Sequence, residues 1–275
     1  MDLAAYLDRV GFEGEARPDA ATLIALHRAH LYAIPYENFD VQFGRPLTID
    51  PDAAFEKIVA RRRGGWCYEM NGLFAAALEA IGFEVTRLAG GVRRDLMGEV
   101  MVGNHLVLKV DFDESRDQPW IADVGFGDGV LEPFPLREGP IEAGGFSYSM
   151  ERLDAAWWRF HNFAFGGAPN FDITLDAADP ALLAEKCQWL QTWPESPFVL
   201  NATAQRHRPG EILVLRGRTL RRARPDGFSE TLVGSADELV DILARQFALD
   251  LPEAATLWPR ICARHEALFA ELVTA

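Results

Sequence analysis

The chain has 275 residues, with 27 Lys and Arg against 41 Asp and Glu and a formal net charge of −14. Hydrophobic residues make up 49% and charged residues 25%, values of an ordinary globular protein that exclude a disordered or low-complexity chain. The acidic balance argues against a nucleic-acid partner. No run approaches the roughly 18 apolar residues that a membrane-spanning helix needs, so no membrane partner is expected. The stretch from Met1 to Val10, with an acid at Asp2, lacks the apolar core of a secretion signal, which points to the cytoplasm. Cys67, Cys187 and Cys262 are odd in number and far apart. They read as free thiols rather than a disulfide framework, and with no zinc spacing no metal is expected.

In chain order, residues 1–82 read as helical. Leu3, Tyr6, Leu7 and Val10 recur at helical spacing, and a second helix from Asp19 carries Leu23, Leu26 and Leu31 on one face. Asp50-Pro51 caps a third helix through Phe55 and Ile58, which Gly64-Gly65 break. A fourth helix starts near Cys67 and ends at Gly82. Strand patterns follow from Phe83: residues 106–112 alternate, and 120–124, 146–153 and 156–163 continue the series. Residues 180–201 read as mixed. Strands at 212–216, 219–222 and 228–233 form a meander, and helices from Ser235 and Pro252 close the chain. Without βαβ alternation the class is α+β, in three units: 1–82, 83–200 and 201–275.

Arg63-Gly64-Gly65-Trp66-Cys67-Tyr68-Glu69 sets a cysteine at the mouth of a helix. There, first-turn N–H groups and any inward-pointing arginine among Arg61, Arg62 and Arg63 favour the thiolate. Such a nucleophile needs a base held by an acid. His105 begins one strand and Asp123 ends the next. A hairpin centred on Glu114, turning through Asp113-Glu114-Ser115-Arg116-Asp117, sets the two side by side. His27 and His30 share a helix face without an evident third metal ligand, and read as packing residues.

These blocks resemble the arylamine N-acetyltransferase family. The matching pieces are residues 63–69 with Asn71, His105-Leu106, Asp123-Val124-Gly125-Phe126-Gly127, Pro35-Tyr36-Glu37-Asn38-Phe39, and residues 191–198. The resemblance implies a helical first domain, a β-barrel-like second and an α/β lid as third, with a Cys67–His105–Asp123 triad. It also implies ping-pong acetyl transfer from acetyl-CoA through an acetyl-cysteine to an arylamine, hydrazine or N-hydroxyarylamine. Motif position makes Phe39 and Phe126 candidates for the aromatic slot and Gly127 a candidate cofactor contact. Glu37 and Arg63 are candidates for a buried ion pair. Phe247-Ala248-Leu249 and Gly127-Asp128-Gly129 depart from the family pattern. Arg216, Arg218, Arg221, Arg222 and Arg224 offer a local basic patch for polyanionic CoA. The alternatives are an amide synthase that joins an acyl chain to an aromatic amine, and a cysteine hydrolase of the papain or transglutaminase kind.

Overall fold

The computed structural model describes residues 1–115 and 118–274, with side chains through residue 268. The first helices open on side-chain caps. In α1 (Leu3–Val10) the Asp2 carboxylate accepts the Ala5 N–H at 3.1 Å, and Gly11 ends the helix at φ 68°. In α2 (Ala20–Ala33) Asp19 accepts the Thr22 N–H at 2.8 Å. A two-residue strand β1 (Tyr36–Glu37) and the one-turn helix α3 (Phe39–Gln42) follow, both absent from the sequence reading. The Asp50-Pro51 cap opens α4 (Pro51–Phe55), which runs into a π turn over Glu56–Ala60 that buries Lys57, Ile58 and Val59 in succession.

The helix α5 (Cys67–Ile81) starts at Cys67 as expected and ends at Gly82 with φ 113°. The glycines before it act differently from the expectation. The left-handed residue is Arg62, at φ 51°. Gly64 instead allows a close approach: a Cβ there would strike the Pro35 carbonyl and come within 2.7 Å of Glu37 Cγ. The Gly64-Gly65 loop lies against β1, with Glu37 N–H donating to Gly65 O at 2.9 Å.

The centre of the chain forms eight antiparallel strands: β2 (Glu84–Val92), β3 (His105–Asp111), β4 (Trp120–Ala122), β5 (Phe134–Pro135), β6 (Gly139–Ala143), β7 (Phe146–Arg152), β8 (Trp158–His161) and β9 (Asn170–Ile173). Their spatial order is β5-β4-β3-β2-β9-β8-β7-β6, and the sheet curls into a nearly closed barrel. A short helix α6 (Arg94–Met97) sits between β2 and β3. Residues read as mixed are helical, as α7 (Pro180–Thr192) and α8 (Pro197–Leu200).

A second antiparallel sheet combines β1 with β10 (Thr203–Arg208), β11 (Glu211–Arg216), β12 (Thr219–Arg224) and β13 (Gly227–Leu232), in the order β1-β10-β11-β12-β13. It is backed by α9 (Ala236–Phe247) and α10 (Trp258–Thr274). One core joins the N-terminal helices to the eight-stranded sheet; another lies under the second sheet around Leu213, Leu215, Leu243 and Phe247. Among the described residues no helix is long and apolar enough to cross a membrane.

Candidate active site

Cys67, His105 and Phe126 line one cleft of about 550 Å³, together with Met97 and Trp193. His105 and Asp123 are buried, and His105 Nε2 lies 2.7 Å from Asp123 Oδ2. The carboxylate oxygen is the acceptor, so Nε2 carries the ring proton of the neutral imidazole and Nδ1 keeps the lone pair.

The β3–β4 register differs from the expected one by two residues: Leu108 pairs with Ala122 and Val110 with Trp120. The connection is longer on its C-terminal side. A tight turn over Asp113–Ser115 closes through Ser115 N–H to Phe112 O at 2.8 Å, while Arg116 and Asp117 of the expected turn lie outside the described residues. A slip of two leaves each side chain on its original face, which is why the His105–Asp123 contact survives the error.

Three donors besides His105 fix this end of β4. Asn71 Nδ2 donates to Asp123 Oδ1 at 2.7 Å and to Leu106 O at 2.6 Å, while Gly125 N–H donates to Asp123 Oδ1 at 2.9 Å. Val124 N–H in turn donates to Asn71 Oδ1 at 2.9 Å. One amide on the second turn of α5 thereby locks the helix to both strands. Gly125 is required by proximity, because a Cβ would sit 2.8 Å from Cys67 Cα. His27 stands behind this set: its Nε2 accepts the Asp123 N–H at 3.2 Å and its Nδ1–H donates to Leu131 O at 2.9 Å. Burial keeps it neutral, pulling its pKa down to about 4. His30 Nδ1 accepts from the Tyr6 hydroxyl at 2.8 Å. His27 therefore helps to hold Asp123, and His30 packs against Tyr6.

The surroundings of the thiol correct one expectation. Burial pushes the Cys67 thiol well above its ordinary pKa, although hydrogen bonding to the Leu106 and Tyr68 backbone works the other way. Arg61 and Arg62 are exposed. Arg63 is turned away onto Glu37, with Nη2 at 2.7 Å from Glu37 Oε1, the buried ion pair that motif position suggested. The helix start and the arginines therefore do not outweigh burial in the resting form. Two glycine N–H groups close to Cys67 are engaged rather than free to face an oxyanion: Gly65 donates to Pro35 O and Gly125 to Asp123.

Beneath the loop lies a charge cluster that sequence reading only half anticipated. Lys57 is 2% exposed and reaches Asp40 Oδ2 and Glu69 Oε2, each at 2.9 Å. Glu69 Oε2 also accepts the Trp66 N–H at 3.2 Å, at the entrance of α5. Burial pulls Lys57 toward its neutral form, but Glu37, Glu69 and Asp40 together hold it protonated above the usual range.

Phe126 lines the cleft, with its ring centroid 5.3 Å from that of His105. Phe39 does not: it is fully buried in the core under the second sheet, away from the cleft. The cause is its neighbour Asn38, whose amide donates to Asn201 O at 2.8 Å and pins α3 against the C-terminal part of the chain. Gly127, at φ 85°, turns the chain against Gln205. Asp128 lines the cleft and accepts the Gly167 N–H at 2.6 Å, with its carboxyl pushed up to about 6 by burial.

A profile of the N-acetyltransferase family matches residues 19–256. The chain is 32% identical over 255 residues to an arylamine N-acetyltransferase / N-hydroxyarylamine O-acetyltransferase of Salmonella typhimurium, covering 90% of this chain and 88% of that one. Among solved structures, the Mycobacterium smegmatis arylamine N-acetyltransferase superposes with a TM-score of 0.86 at 33% identity, over 95% of this chain and 97% of that one. A Mycobacterium marinum arylamine N-acetyltransferase in complex with CoA gives 0.84 at 28% identity, over 96% and 98%.

Proposed function

The chain belongs to the arylamine N-acetyltransferase family, and from that membership and the cleft we propose that it moves an acetyl group from acetyl-CoA to the nitrogen of an arylamine, arylhydrazine or N-hydroxyarylamine. Cys67 is the nucleophile, His105 the base and acid, and Asp123 the residue that holds the ring. The observation that carries this reading is the His105–Asp123 bond of 2.7 Å in the cleft that Cys67 lines.

His105 Nδ1 takes the Cys67 proton as the sulfur attacks the thioester carbonyl, so the buried thiol need not ionise beforehand. The carbonyl carbon–sulfur bond to CoA then breaks, and the imidazolium returns the proton to the leaving sulfur. In the second half the amine attacks the acetyl-cysteine carbonyl, His105 accepts the amine proton, and Cys67 leaves to be reprotonated. Asp123 keeps the proton of the neutral ring on Nε2 throughout. The apolar wall at Phe126 suits the aromatic ring of the acceptor.

We divide the chain at about residues 82 and 200, with the last unit as an α/β lid; β1 of the first unit completes the second sheet. The acid-rich surface argues against nucleic acid. All three cysteines are free, which agrees with a reducing cytoplasm. No metal enters the scheme. The test is steady-state transfer from acetyl-CoA to an aniline-type amine. Acetylated amine with parallel double-reciprocal lines is expected. Hydrolysis of acetyl-CoA at a rate indifferent to the amine would instead favour a hydrolase.

A further inference from the structure

Two polar side chains that line the Cys67 cleft are left open among the described residues. Tyr36 is 7% exposed, and its hydroxyl meets no hydrogen-bond partner. Gln205 carries a carboxamide whose Oε1 is buried and equally unpartnered. Buried polar groups are nearly always paired, so each exception needs a cause. The strand register brings these two together. Tyr36 of β1 pairs directly with Gln205 of β10, and opposite residues send their side chains to one face. Val214 continues that face from β11, and the bridge from Tyr36 to Gly65 sets it against the loop leading into Cys67.

Their chemistry is complementary. Burial raises the Tyr36 hydroxyl well above its ordinary pKa, and negative charge at Cys67, Asp123, Asp128 and Glu69 adds to that. The group therefore stays protonated and can donate. Gln205 Oε1 can only accept. It lies against the turn after Phe126, where a Cβ on Gly127 would strike it. Asp128 lines the same cleft, but its oxygens are already engaged. Oδ2 accepts the Gly167 N–H at 2.6 Å and Oδ1 the Asn162 amide at 3.2 Å. What remains is one open donor beside one open acceptor, near a carboxylate whose field opposes an incoming anion.

We propose that Tyr36 and Gln205 select the acetyl acceptor, favouring an aromatic amine that carries a second, neutral group able both to accept and to donate, such as a primary carboxamide. The carboxamide oxygen accepts from the Tyr36 hydroxyl and its N–H donates to Gln205 Oε1, while the ring lies against Phe126. A carboxylate in the same place has no proton to give Gln205 and faces Asp128. This rests on the transferase reading and adds to it which acceptor the cleft prefers.

The experiment compares wild type, Tyr36→Phe, Gln205→Leu and the double variant at saturating acetyl-CoA, with 4-aminobenzamide, 4-aminobenzoate and p-toluidine as acceptors. For each protein the kcat/KM of the amide is divided by that of p-toluidine. The intrinsic reactivity of each amine then cancels when a variant is set against wild type. A neutral hydrogen bond is worth about three- to tenfold. The quotient should fall by that factor in each single variant, and by about 30-fold in the double variant. A double-variant quotient within about twofold of wild type, the scatter of such comparisons, overturns the selection. An equal fall for 4-aminobenzoate overturns it too, because the pair would then not distinguish a neutral group from an anion. Should wild type acetylate none of the three amines, the transferase reading fails separately. Calorimetric titration with 4-aminobenzamide then decides the selection alone: binding weakened in the double variant supports it, whereas equal binding, or none to wild type, overturns it.

Discussion

On one side of the first turn of α5, Lys57 and Arg63 meet Glu37, Asp40 and Glu69; on the other, Asp123 meets His105, Asn71 and His27. The first cluster opposes permanent charges, with each carboxylate beside a cation that stays protonated. In the second, the one carboxylate is held by neutral donors, the Asn71 amide and the Gly125 N–H, and by His105, while burial keeps the neighbouring His27 imidazole neutral. The first cluster keeps its charges fixed, and this suits a brace. The second has one proton free to move, and its rigid neutral partners keep that movement directed. Both are buried, so burial alone does not distinguish a brace from a reactive site; the inventory of titratable partners does.

The largest effect should come from taking the moving proton out of the second cluster. Asp123→Asn leaves Cys67 and His105 in place but frees the ring to adopt the other tautomer. The analogous change in serine enzymes costs about 10⁴ in rate, and a comparable fall in acetyl transfer is expected here with the fold intact by circular dichroism. His105→Gln should lose at least as much. Transfer within tenfold of wild type in Asp123→Asn would erase the difference drawn between the clusters.

Breaking the brace should instead cost stability. Lys57→Met leaves Asp40 and Glu69 facing each other without their shared ammonium. Removing one partner of a buried charge set costs about 3–5 kcal/mol, to be read from the denaturant midpoint. Removal of the exposed Arg87–Glu79 pair, 2.7 Å apart, should cost less than about 1 kcal/mol. Equal losses in the two variants would show that burial of the Lys57 cluster adds nothing.

Buried imidazoles, one of them in the second cluster, should also make the fold sensitive to acid. His27 and His207 are both buried, and burial lowers each from an ordinary 6.5 to about 4. Between those values the unfolded chain binds protons that the folded chain refuses, so stability is lost as pH falls from about 6.5 to about 4, by roughly 3 kcal/mol per imidazole. Asp128 works the other way. Its carboxyl is raised from 3.8 to about 6, so its contribution is present in acid and lost as pH rises through about 6, offsetting part of the loss. Denaturant midpoints at pH 7 and pH 5 should differ by less in His207→Gln than in wild type; an unchanged difference would remove His207 from this account.

The candidate reactive cluster is legible where local chemistry carries it. Cys67 behind Gly64-Gly65, His105 opening a strand and Asp123 ending the next are adjacent to their own signals, and Phe126 follows from the same block. Asn71, present in the motif but without a role, becomes a positioning residue only once α5 is seen to cross both strands. His27 comes from α2, and no spacing in the chain announces a contact 96 residues away. Lys57 was invisible because the π turn that buries it is a tertiary outcome. Strand β10 was missed because its residues are polar. Arg206 and Arg208 are satisfied by carbonyls at the ends of α2 and α9, Tyr32 O at 2.9 Å and Gln246 O at 2.7 Å, partners that no local pattern supplies. Phe39 went astray in the opposite sense, since an aromatic beside a motif can face either the cleft or a second core. The thiol departs from its sequence expectation because a helix start is a local feature and burial is not.

The most direct test of the central claim is intact mass followed by peptide mapping after acetyl-CoA is added without an acceptor. The account predicts one acetyl group, on Cys67 alone, released when an aromatic amine is supplied and absent in His105→Gln. An acetyl group on Cys187 or Cys262, or none on a protein that still acetylates the amine, would contradict it.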